Sequence, residues 1–261
     1  MSTETAYRIN ENLMISEKIL KCWDAIFVPD YDFFYFETIN QINKVFPGDV
    51  LIYSKEELIN DHVLCNIDNR CAFKTWNVNS IAKFAAIVPN SHFSILADAQ
   101  KAEILYEQWR LRRGLIWEYE WIKAILKKAG TMLGDICLTI FEENAFETPE
   151  GKMAAIQRTL WDRIPFSVKT LFFTEIAKSE SDSISLWSQL SIKEKNRIEN
   201  TFPHIFNHLH SFAEKNGPNC LAAAIAGATV NKDWTDWISN QWLQSKETFP
   251  LLLAQGAIAR Y

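Results

Sequence analysis

Residues 50–76 read Val50-Leu51-Ile52-Tyr53-Ser54-Lys55-Glu56-Glu57-Leu58-Ile59-Asn60-Asp61-His62-Val63-Leu64-Cys65-Asn66-Ile67-Asp68-Asn69-Arg70-Cys71-Ala72-Phe73-Lys74-Thr75-Trp76. Val50–Tyr53 is a compact apolar run of strand length, entered from the turn Pro47-Gly48-Asp49. Residues 63–67 and 71–76 read as a hairpin about Asp68-Asn69, a pair that tolerates turn geometry. Here compact apolar runs replace a helical period, which predicts a small antiparallel sheet in this stretch.

Outward from it the pattern is helical. On the N-terminal side Leu13, Ser16, Ile19, Leu20, Trp23 and Phe27 follow a helical period until Pro29-Asp30 stops it, and a short helix covers residues 37–45. On the C-terminal side Asp98 reads as an N-cap, with Ala102, Leu105, Trp109 and Arg112 recurring at three and four. Gly114 breaks that run, Trp117, Trp121, Ile125 and Lys128 resume it, and Gly130 ends it. Residues 136–141 read as a strand, 142–151 as an acidic connector, and 152–161 and 167–178 as helices before an exposed link at 179–183. The expectation is a mostly helical α+β protein whose small antiparallel sheet lies in the N-terminal half. Residues 1–145 form its N-terminal α+β domain and residues 152–261 a helical C-terminal region.

A chain of 261 residues with 48% hydrophobic content buries about three quarters of its surface and needs no staples. A net charge of −5 argues against a dedicated nucleic-acid binder, which carries a basic excess. The longest apolar stretch, residues 220–230, is about half the ~20 residues of a membrane span, and the N-terminus lacks the basic and apolar regions of a signal peptide. Cys22, Cys65, Cys71, Cys137 and Cys220 are odd in number and widely spaced, with no Cys-x-x-Cys. The reading is a cytoplasmic chain with no disulfide framework, metal site or cofactor, no membrane or nucleic-acid partner, and an unknown protein as its possible partner.

Few residues carry chemistry. His204 and His208 are spaced i,i+4, but the apolar stripe Ile198, Phe202, Ile205, Leu209 and Phe212 leaves them on the outer face, and no glutamate follows His204 as a zinc protease requires. Arg110, Arg112 and Arg113 read as a solvated corner paired with nearby acids. The segment Gly217-Pro218-Asn219-Cys220-Leu221 differs. Gly217 and Pro218 end one helix and Asn219 caps the next, which puts Cys220 on its first turn, where free amides and the helix dipole favour a thiolate.

Residues 217–221, the Trp-rich stretch 234–242 and Glu247-Thr248-Phe249 resemble the nucleophile region of papain-like (NlpC/P60-like) proteins of Bacillus-type bacteria. Residues 53–76 are similar to the N-terminal region of the same proteins. The resemblance implies Cys220 as nucleophile and, in papain-like order, a following sheet that carries a histidine. Here 41 residues follow Cys220 and none is His, a departure from that order. His62, beside Asp61, is the base that a circular permutation would supply.

Three readings follow. The first is a non-catalytic or shortened papain-like relative acting through protein contacts. The second is a papain-like cysteine hydrolase or acyltransferase with Cys220 as nucleophile and His62 as base. The third is a small-ligand binder using an aromatic pocket built from the 10 Trp and 17 Phe. The missing base favours the first. All five thiols are expected to be free, so mass mapping of unreduced protein should recover five singly alkylated cysteines; a native disulfide would refute the cytoplasmic assignment.

Overall fold

The computed structural model describes residues 5–10, 13–46, 48, 50–179, 189–201, 212, 214 and 216. The expectations for Pro47, Asp49, the link beyond Ser179, the histidines at 204, 208 and 210, and the Cys220 segment fall outside these residues. The chain divides into two compact units, Asp24–Glu175 and Met1–Trp23 with Ile176–Tyr261.

The smaller unit opens with an antiparallel hairpin of β1 (Ala6–Arg8) and β2 (Met14–Ser16) and runs into α1 (Glu17–Phe27). Glu17 and Lys21 pair one turn apart at 2.6 Å. Trp23 meets half-buried Phe212 edge to face with centroids 5.5 Å apart.

In the larger unit β3 (Tyr31–Phe36), α2 (Ile39–Val45), β4 (Leu51–Ser54), α3 (Lys55–Asn60) and α4 (Ile67–Ala72) lead through a 3-10 turn at Thr75–Asn77 to β5 (Phe84–Pro89). Then follow α5 (Asn90–Ser94), α6 (Asp98–Arg110), β6 (Ile116–Glu118), α7 (Tyr119–Leu126), a 3-10 turn at Lys127–Ala129, α8 (Thr131–Glu142), β7 (Ala145–Thr148), β8 (Gly151–Ala155), α9 (Arg158–Trp161) and α10 (Phe166–Ser179). Helix α11 (Ile192–Thr201) belongs to the smaller unit. Two three-stranded antiparallel sheets result, ordered β3-β5-β4 and β6-β8-β7, with β5 and β8 central. The protein is α+β and mostly helical. Thr38 and Ser54 each form a capping box, with Gln41 and Glu57, at the starts of α2 and α3.

Strand β3, Tyr-Asp-Phe-Phe-Tyr-Phe, is covered on both faces. On one, Phe33 packs against Phe73 at 4.6 Å and the Tyr35 hydroxyl bonds to Thr75 Oγ1 at 2.9 Å. On the other, Phe34 and Phe36 join Ile42, Phe46, Val88 and Phe93 in a core that reaches Met153 and Ala155 of the second sheet. A second aromatic core forms around Phe172, which stacks on Trp117 and touches Trp121, Phe141 and Trp161. Most of the described aromatic surplus fills these two interiors.

Several expectations need correction. Strands are not concentrated in residues 50–76: β3 and β5 flank that stretch, and the second sheet lies beyond it. Residues 63–76 form a turn, α4 and a 3-10 turn rather than a hairpin, because the Asn66 side chain accepts from Asn69 N and caps a helix there. Residues 136–141 belong to α8, since burial falls at Gly134, Cys137 and Phe141, a three-four spacing. The stretch 142–151 holds the end of α8 and most of the β7–β8 hairpin, so the expected boundary between 145 and 152 lies inside paired strands. Residues 152–155, expected as helix, belong to β8 (Gly151–Ala155).

Of the described glycines, Gly114 has the closest neighbour. A Cβ there would lie 2.2 Å from the Ala72 carbonyl oxygen, so the backbone of α4's end and the approach to β6 pass too closely for a side chain. Gly114→Ala should destabilise the fold by about 1–3 kcal/mol in urea titration, as overpacking does; unchanged stability would show that this approach relaxes freely.

Candidate functional site

The most constrained polar cluster joins the two sheets of the larger unit. Arg113, from the segment between α6 and β6, has a fully buried side chain. Its Nη2 donates to Asp32 Oδ1 at 2.5 Å and its Nε to the Phe33 carbonyl at 2.9 Å. Gln157, after β8, donates from Nε2 to Asp32 Oδ2 at 2.5 Å and to the Asn90 carbonyl at 3.3 Å. Asn90 in turn donates to the Pro29 carbonyl at 3.2 Å. The guanidinium lies over the rings of Phe34 and Phe73, 4.9 and 4.7 Å from their centroids. Two buried atoms, Arg113 Nη1 and Asn90 Oδ1, make no hydrogen bond among the described residues. Burial pushes the Asp32 carboxyl up, and Arg113 and Gln157 pull it back down.

The backbone pays a local strain to place this arginine. Arg112 and Leu115 on either side take φ of 62° and 59°, a left-handed conformation costing about 1–2 kcal/mol each for residues with a Cβ. One turn earlier, Gln108 closes the open edge of β3: its Nε2 donates to the Tyr35 carbonyl at 2.8 Å while its Oε1 accepts from Tyr35 N at 2.6 Å. Two side chains thus stand where another strand would pair. Sealed from solvent, the cluster holds the sheets together and offers no place for a substrate. Its sequence signal was Asp32 alone in an aromatic run, since an acid in an apolar strand needs a buried partner. Of the three arginines read as a solvated corner, Arg110 fits, paired with Glu37 and Glu107, and Arg113 does not.

His62 stands exposed on the turn between α3 and α4. The turn itself is firmly held. Asp61 Oδ1 accepts from Val63 N at 3.0 Å and Leu64 N at 2.9 Å, and Arg70 donates to the carbonyls of Ile59 and Cys65. The Asp61 carboxylate therefore organises the turn backbone rather than orienting His62. Cys220 lies outside the described residues, and so does any distance between it and His62. The four described cysteines, Cys22, Cys65, Cys71 and Cys137, are free. Burial pushes the Cys71 thiol up to about 11 and raises Cys65 and Cys137 as well, which leaves all three poor nucleophiles.

A notch of about 190 Å³ lies between α7 and α8, lined by Lys123, Leu126, Lys127, Asp135 and Leu138 among others, without an aromatic side chain. It is smaller than the roughly 300–1,000 Å³ of small-molecule sites. No described helix is long and apolar enough to cross a membrane, and no described group of three His, Cys, Asp or Glu side chains is placed to hold a metal. Comparison with family models, curated proteins and solved structures finds no match to this chain.

The buried pair gives a stability test. Asp32→Ala leaves Arg113 charged and unpaired, and should cost about 3–5 kcal/mol in chemical denaturation. The double variant Asp32→Leu with Arg113→Met should lose less than the sum of its two single changes; strict additivity would mean that the pair is not coupled.

Proposed function

We propose that this chain is a non-catalytic protein of the reducing cytoplasm that acts by binding protein, with no nucleic-acid or membrane partner. One observation carries the reading. Helix α8 is apolar on two sides: Gly134, Cys137 and Phe141 face the interior, while Met132 and Ile136 are 79% and 54% exposed. Beside the exposed polar strip of Thr131, Asp135, Thr139 and Glu142, this second apolar side is surface that a cover would bury. The net negative charge supports the exclusion of nucleic acid, and the four free thiols support a reducing compartment.

In this reading the papain-like resemblance at 217–221 is one of ancestry, and Cys220 has no hydrolytic role. His62 supports that side of the proposal, because its neighbouring carboxylate is engaged by backbone amides. Wild-type protein should turn over neither peptide nor ester substrates, and Cys220→Ser should give the same progress curves. Turnover abolished by both Cys220→Ser and His62→Ala would replace this reading with a permuted cysteine hydrolase.

A further inference from the structure

We propose that the outer side of α8 is a two-fold interface on which a second copy of this chain docks in antiparallel orientation. The inference rests on the protein-binding reading and names its partner. Met132, Ile136 and Ile140 recur every four residues and share one side of α8, the first two exposed and the third half-buried. Half-buried Leu133 borders them. Such a stripe is the seam along which two helices pack.

The charges at the two ends of α8 choose the partner and its direction. Lys127 and Lys128 are exposed just before the helix, and Glu142 and Glu143 are exposed at its other end. Lys127 makes no ion pair among the described residues. Lys128 reaches Glu175 at 2.9 Å, Glu142 pairs with half-buried Lys152, and Glu143 pairs with exposed Arg163. A parallel copy would set lysine against lysine and glutamate against glutamate. An antiparallel copy centred on Ile136 sets Ile136 on the partner's Ile136 and Met132 on the partner's Ile140. It also brings Lys127 and Lys128 beside the partner's Glu142 and Glu143. One patch then serves both subunits, as an isologous interface requires. Apolar contact supplies the attraction, and the charges at the rim fix register.

The test uses the full chain in sedimentation velocity. Wild type should pass from monomer to dimer over an about hundredfold range of concentration. Ile136→Glu, which sets two carboxylates face to face on the axis, should weaken dimerisation at least about tenfold. Lys127→Glu and Glu143→Lys should each weaken it, and their combination should restore it, a rescue that general damage to the fold would not give. Under mild oxidation Ile136→Cys should link to itself, whereas Met132→Cys should link to Ile140→Cys in a mixture of the two, as located by peptide mapping. A monomer at every concentration overturns the inference. So does a dimer indifferent to Ile136→Glu, although that result leaves the protein-binding reading standing. Hydrolysis dependent on Cys220 removes the reading beneath it.

Discussion

Arg113 brings a full positive charge into a place without water, and much of the larger unit is arranged around that fact. A guanidinium cannot shed its proton to escape burial, so the protein must supply the counter-charge and the acceptors. Asp32 supplies the charge, the Phe33 carbonyl an acceptor and two phenylalanine rings a favourable face. Each of these groups then constrains its own element. Asp32 fixes the register of β3, and Gln157, bonded to the other carboxylate oxygen, ties the end of β8 to it. The cluster adds directional hydrogen bonds to the apolar contact that the two sheets share, which specifies their relative placement.

The same cluster explains why β3 survives as an edge strand. A long aromatic edge with free amides and carbonyls is a template for pairing with another chain. Here Gln108 and Arg113 occupy that edge with side-chain hydrogen bonds, and α6 covers it. Specificity of this kind carries strain, seen in the left-handed backbone at Arg112 and Leu115 and in the missing side chain at Gly114. These features lie within four consecutive residues because one arginine must leave a helix and turn inward at once.

Away from this centre the described residues gather no metal-holding group, and α8 leaves apolar side chains exposed. The turn at residues 61–66 is braced by Asp61, Asn69 and Arg70, so His62 and Val63 sit on a fixed rather than a yielding support. The exposed side of α8 carries the functional proposal because its apolar residues have no structural reason to face water. Aromatic residues give no comparable signal: those in the two cores touch one another, and their number reflects packing.

Local signals read correctly from the sequence were those that act within a few residues. The helices at 39–45, 98–110 and 166–179, the strand at 51–54 and the break at Gly114 follow from caps, breakers and apolar period, which require no knowledge of the rest of the chain, whereas the helical period extended from Leu13 holds only from Glu17, since Met14–Ser16 pair as β2. The strands β3 and β5 were not, because a run buried on both faces shows no alternation, and 136–141 was read as a strand although its helical period becomes plain only once Gly134 and Phe141 are seen to face the same neighbours. The role of Arg113 was beyond reach of any local rule. Three arginines in four residues look alike in sequence, and only the meeting of segments 81 residues apart decides which one is buried. The sequence by itself determined the class of the protein and the place, though not the ends, of several helices, since those depend on short-range hydrogen bonding and composition. Tertiary structure alone decided which charges are hidden and which apolar face is left open, because burial is a property of the neighbours that folding supplies.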